Sequence, residues 1–252
     1  MKKLLFIILL LNISILSYSL NFSVAPTGFV VDLKSSTTKE IYITNNTSQP
    51  MRLEAFFTSD PEFGEKYNLN SDITIFPKTI SIKPGSKQTV RFRVKPDSKI
   101  QSGEYKSYLT FREVPQNIKT VPNNNAENKS LETSLNVITE IAIGIYGQKG
   151  DPILKGNLSN VKLDYNTDSI LLTASSFSEG NTSLKFSYNL KVQGSDAEAS
   201  GLLGISAREG NKDFNLITQL GPNLKGKKAK LVITDQNGKV YYDKVHTLSV
   251  SY

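Results

Sequence analysis

The residues able to do covalent or metal chemistry are few in this chain of 252 residues: it has no Cys, and His246 is its one His. That composition excludes disulfides, thiolate nucleophiles, iron-sulfur clusters and multi-histidine metal sites. Ser36-Thr37-Thr38-Lys39 and Ser159-Asn160-Val161-Lys162 satisfy S-x-x-K, but the companion S-D-N and K-T-G elements of that chemistry do not accompany them. Gly204-Ile205-Ser206-Ala207-Arg208 begins like a nucleophile elbow and ends in Arg where the second Gly belongs. No phosphate-cradling glycine loop is present, and the carboxylates Glu113, Glu132 and Glu140 stand singly. The chain therefore reads as a non-enzyme without metal or cofactor. The basic cluster Lys225-Gly226-Lys227-Lys228-Ala229-Lys230 has no interleaved aromatic and leads straight into an apolar strand, which fits a solvated turn rather than a nucleic-acid site.

The pattern that points to a function is recognition rather than chemistry. From 131 to 145 the odd positions are Leu131, Thr133, Leu135, Val137, Thr139, Ile141, Ile143 and Ile145, while most even positions are polar or small. Period two predicts a single strand, here running over 131–146, about 50 Å long at roughly 3.3 Å per residue. Ordinary strands have about five or six residues. Either such a strand is covered wholly by its own chain, or part of its apolar row is kept for another protein.

The elements around it are strands too. Lys2 and Lys3, an apolar run over 4–16 and the small residues Ser17 and Ser19 form a signal peptide, residues 1–19, too short for the roughly 20 apolar residues of a membrane span. No later stretch is apolar enough to span, and removal of the two lysines takes the formal charge from +7 to +5. A hydrophobic fraction of 38% argues against disorder. Alternating segments at 21–25, 29–33, 39–44, 51–58, 73–76, 81–82, 88–94 and 104–112 precede the long strand, with turn clusters such as Lys83-Pro84-Gly85-Ser86 between them. The polar stretch 114–130 reads as a loop. A break at Gly147-Gln148-Lys149-Gly150-Asp151-Pro152 separates a first domain, 20–147, from a second, 151–252, whose strands are expected at 158–164, 169–176, 184–193, 199–207, 214–219, 229–235 and 240–250. Asn237-Gly238 supplies a hairpin turn between the last two. The fold class is all-β, two β-sandwiches in tandem.

Residues 22–147 resemble the PapD-like periplasmic chaperones of the chaperone-usher pilus systems. The resemblance rests on Phe22-Ser23-Val24-Ala25-Pro26-Thr27, on Ile41-Tyr42-Ile43-Thr44-Asn45-Asn46-Thr47-Ser48-Gln49-Pro50, on Phe76-Pro77-Lys78 with Ile82-Lys83-Pro84-Gly85-Ser86, and most specifically on Leu109-Thr110-Phe111-Arg112-Glu113-Val114-Pro115. It implies two Ig-like domains and donor-strand complementation in the periplasm. The last strand of the first domain lends its apolar row to a fimbrial subunit lacking a strand, and the subunit then passes to an outer-membrane usher. The implied donors are Leu135, Val137, Ile141 and Ile143, extended by Leu131 and Thr133, and self-association of the free form would hide the same row. The family also has an Arg after the Pro-Thr of its first strand and a Lys late in the donor strand, which together hold the subunit's C-terminal carboxylate. Here Gly28 stands at the first position and 140–144 contains no basic residue, so Arg91, Arg93 and Arg112 are the candidate replacements. The alternative is an Ig-like structural or adhesive fimbrial protein.

Overall fold

A computed structural model of the chain describes residues 20–115 and 137–249. The expected signal peptide, residues 1–19, and most of the expected polar loop lie outside them, as do Leu131, Thr133 and Leu135. Among the described residues there are sixteen strands and no helix. Strands β1 (Phe22–Ala25), β2 (Gly28–Asp32), β3 (Thr37–Asn45), β4 (Met51–Ser59), β5 (Ile73–Phe76), β6 (Thr79–Ile82), β7 (Lys87–Val94), β8 (Gly103–Glu113) and β9 (Glu140–Lys149) form two sheets. Their orders are β1-β3-β7-β5 and β2-β9-β8-β4-β6. Strands β10 (Gly156–Asn166), β11 (Ser169–Ser178), β12 (Lys185–Val192), β13 (Glu198–Ile205), β14 (Gly210–Gln219), β15 (Lys228–Thr234) and β16 (Val240–Thr247) form two more, ordered β10-β11-β14 and β13-β12-β15-β16.

Alternation makes these sheets close into sandwiches, because successive side chains point to opposite faces. On β7, Val90, Phe92 and Val94 are buried while Arg91 and Arg93 point out. The first core joins such residues to Phe22, Ile43, Leu109, Phe111 and Ile145, and the second joins Leu172, Phe186, Leu190, Leu231 and Ile233. Each fully buried side chain of this size stabilises its domain by about 1.5–3 kcal/mol, which is what replaces a disulfide here.

Two prolines govern how the first sandwich is stitched. Strand β1 pairs antiparallel with β3; past Pro26, which has no N–H to continue the ladder, β2 crosses to the other sheet and pairs parallel with β9 from Gly28↔Gly144 to Asp32↔Gln148. Pro77 separates β5, paired with β7, from β6, paired with β4, in the same way. Asn45 closes the gap this leaves. It is fully buried, its Nδ2 donates to the carbonyls of Gln49 (2.8 Å), Ile82 (3.2 Å) and Lys83 (3.3 Å), and its Oδ1 accepts from Thr47 N (2.9 Å). The Asn-Asn-Thr-Ser-Gln-Pro segment is thus a hydrogen-bonded corner.

The two domains are pinned by Arg208, only 4% exposed. Its guanidinium donates to the carbonyls of Glu104 (2.8 Å) and Ser102 (3.1 Å) and lies over the rings of Tyr67 (3.7 Å) and Tyr105 (4.7 Å). Gly103 makes room for it: at φ 135° it adopts a conformation side chains disfavour, and a Cβ there would collide with Nη2 of Arg208. The Glu104 carboxylate reaches across as well, accepting from Ser183 N (2.9 Å) and Oγ (2.6 Å). Replacing Arg208→Ala strips two buried carbonyls and two rings of their partner and is expected to lower stability by about 2–4 kcal/mol. Denaturant titration would show it, with X-ray scattering revealing a wider spread of domain orientations; an unchanged midpoint and scattering profile would contradict the assignment of Arg208 as the pin.

Candidate subunit-binding strand

Strand β9 carries the candidate site, and its row of side chains changes environment along its length. Ile145 is 0% exposed and Ile143 2%, both in the first core; Ile141 is half-buried against that core; Val137, on the same parity, is 74% exposed. The row is therefore continuous in direction and divided in burial. The strand expected over 131–146 is found over Glu140–Lys149, and residues 137–139 lie outside any strand, although Thr139 still accepts from Glu113 N at 3.0 Å. Ile143, expected as a donor, is corrected by its burial: it cannot leave its own core for a partner without opening the domain.

The edges of β9 are divided as well. One edge pairs with β8 from Glu140 to Lys149, while the other is covered by β2 only from Gly144 to Gln148. Over 140–143 no strand among the described residues pairs with the second edge, and it is here that the apolar row turns from buried to exposed. An extended segment from another chain could pair there while its own side chains or groove covered the row, which is β-strand addition.

The three expected anchor residues do not come together. Arg112 neighbours the start of β9, with its Nε donating to Glu140 Oε2 at 2.6 Å and its guanidinium over the Phe56 ring at 4.7 Å. Arg91 and Arg93 lie on the outer face of the opposite sheet, on β7, because β7 and β9 belong to different sheets. They are corrected accordingly and taken out of this site.

Residues 21–142 match the sequence profile of the pili and flagellar-assembly chaperone, PapD N-terminal domain. Among solved structures, the YadV chaperone shares the fold with a TM-score of 0.50 at 12% identity, over 91% of this chain and 100% of that one. The first domain of this chain is similar to the N-terminal domain of PapD-like pilus-assembly chaperones. Other similar structures are the CupB2 chaperone of Pseudomonas aeruginosa, with a TM-score of 0.46 and 12% identity over 91% of this chain and 100% of that chain. A chain of the Salmonella enterica SafA pilin complex with the SafB chaperone also has a TM-score of 0.46 and 12% identity, over 92% of this chain and 98% of that one. No curated protein sequence matches the chain. The matched domain is that of an assembly chaperone.

Where β2 first meets β9 the chain has no charged pair. Gly28 and Gly144 are register partners there, leaving bare backbone on the outward face of the sheet. The cation that sequence reasoning missed is Lys106 on β8, whose neighbours Tyr105 and Ser107 point inward while it points out. Its Nζ contacts Asp60 Oδ2 at 2.6 Å, and both side chains are 12% exposed. Tyr108 OH donates to the same oxygen at 3.1 Å, and the rings of Tyr108 and Tyr146 lie 4.7 and 5.2 Å from the ammonium. The one sequence signal was a Lys in the middle of a strand whose alternate residues are all apolar or small; its partner lies 46 residues away.

Burial disfavours the charged form of Lys106, but hydrogen bonds with Asp60, Tyr108 and Tyr146 outweigh it and hold its pKa above the ordinary lysine value. Burial likewise pushes Asp60 up, and the hydrogen bond and charge of Lys106, with Phe63 N–H and Tyr108, outweigh that and hold it below the ordinary value. Asp60's share of stability is therefore present above about pH 3.9 and lost as pH falls through its lowered pKa. That of Lys106 is present below about pH 10.4 and lost as pH rises through its raised one. Because Asp60 already neutralises Lys106, this cation is a brace for the strand rather than a free anchor. Lys106→Met leaves Asp60 unpaired and is expected to cost about 3–5 kcal/mol and to move acid unfolding to higher pH, while adding Asp60→Asn restores most of the loss. A single-variant loss below about 1 kcal/mol would mark the pair as an ordinary surface ion pair.

Proposed function

We propose that the chain acts in the periplasm, after removal of residues 1–19, by complementing an incomplete fimbrial subunit with the N-terminal part of its donor strand and passing it to an outer-membrane usher. The reading rests on one observation: the apolar row of β9 leaves its own core at Ile141 and continues to Val137, 74% exposed, beside an uncovered strand edge. Val137 and Ile141 are the described donors. Leu131, Thr133 and Leu135 extend the same sequence parity and are proposed as further donors. Arg112, on β8 at the start of β9 and paired with Glu140, is the one of the three candidate anchors on the same sheet as β9. Self-association of the free form would be an alternative way of covering the row.

Each aliphatic side chain seated in a subunit groove supplies about 1.5–3 kcal/mol before the costs of association, so a few of them hold a client without ATP. Specificity for the face is testable because Ile138 has the opposite parity and is also accessible, at 49%. In co-expression with a fimbrial subunit from the same gene neighbourhood, Val137→Asp is expected to reduce the soluble one-to-one complex about tenfold or more, whereas Ile138→Asp leaves most of it. Equal loss with both variants, or survival of the complex with Val137→Asp, would refute the assignment of the odd-numbered face.

A further inference from the structure

The opposite sheet carries a surface that the donor-strand reading does not use. Phe76, the last residue of β5, is 80% exposed, more than any other large apolar side chain among the described residues. It stands in register with Arg91, and Thr74 stands in register with Arg93, which is flanked on its other side by Thr38 of β3. Thr38, Thr74, Phe76, Arg91, Arg93 and Lys95 line one shallow groove.

The two arginines differ. Arg91 is neutralised by Glu40 at 2.8 Å, and Glu40 also accepts from Tyr42 OH at 3.2 Å. Arg93 donates its Nε to the hydroxyl of Ser36 at 2.7 Å, and neither it nor Lys95 takes part in an ion pair among the described residues. Burial does not force this arrangement, since the outer face of β7 is exposed. Next to these cations, β5 ends its sheet: among the described residues it pairs with β7 alone and presents its other edge to no strand.

We infer that this edge and face form a second protein-docking surface, distinct from β9, which takes an extended acidic segment of another polypeptide. A strand added along β5 would place alternate side chains beside Thr74 and Phe76. The position beside Thr74 reaches toward Arg93 and Lys95 and calls for a carboxylate, which can take the fork of donors on the guanidinium. The position beside Phe76 calls for an aromatic or aliphatic side chain. The recognised pattern is thus an acidic and an apolar residue two apart, with main-chain hydrogen bonds supplying the rest. Glu40, fixed beside Arg91 on the same face, opposes a polyanionic phosphate backbone and favours a peptide with an isolated charge.

The test uses the mature full-length chain and a fluorescein-labelled peptide, Thr-Val-Thr-Glu-Thr-Phe-Thr-Val, with a second peptide carrying Lys in place of Glu. Anisotropy should show binding of the Glu peptide, about tenfold weaker binding to Arg93→Gln and to Phe76→Ser, and progressive weakening with salt. Val137→Asp should leave this binding unchanged, which separates the surface from the donor strand; loss of binding in Val137→Asp alone would place the peptide on β9 and overturn the inference. Equal affinity for the two peptides would overturn it as well. So would absence of binding together with increased self-association of Arg93→Gln, which would make the cations a guard of the β5 edge instead of a docking site.

Discussion

A β-strand has two faces and two edges, and a folded domain has to dispose of all four. Strand β9 is paired on both edges only from Gly144 to Gln148, where β2 closes the ladder and Ile145 is in the core. Toward residue 137 β2 no longer covers the second edge, and the apolar face comes into water. The switch of the first strand between sheets at Pro26 sets where the edge is uncovered by β2, because β2 begins at Gly28 and reaches no further along β9 than Gly144.

Keeping one strand half-covered requires the remainder of the molecule to be rigid without cross-links. The cores supply most of the stability, but the polar groups decide which arrangement is adopted. Asn45 ties the β3–β4 corner to the end of β6, and Lys106 with Asp60 braces β8 beside β9. Arg208, threaded over Gly103 between two tyrosine rings, holds the second sandwich to the first. Each is a buried polar group whose partners are all present, so each is costly to disrupt and specific in geometry. Where β2 first meets β9, Gly28 faces Gly144, so no side chains pair across the ladder there.

Much of this was legible in the sequence because period two is a local property. Segments such as 88–94 announce both their strand and their buried face through Val90, Phe92 and Val94, and all sixteen strands fall on alternating segments. What alternation does not contain is where a face stops being covered. Ile143 and Val137 share a parity, and only the packing of the first core against Ile143 tells one from the other. It likewise does not contain sheet order, which is why Arg91 and Arg93 read as companions of β9 until the pairing of β7 with β3 and β5 put them on the opposite sheet. Lys106 needed a partner distant in sequence, Asp60, to distinguish a braced cation from a solvated one.

The central claim is that one row of side chains serves two interiors in turn, its own and a subunit's. Hydrogen exchange resolved to single amides, on the free chaperone and on its one-to-one complex with a fimbrial subunit, tests it most directly. The account predicts that amides on the uncovered edge within 137–143 exchange rapidly in the free protein and slow by about a hundredfold or more in the complex, whereas those over 144–148 are protected in both states. Exchange over 137–143 that stays rapid in the complex, with new protection appearing elsewhere, would contradict it.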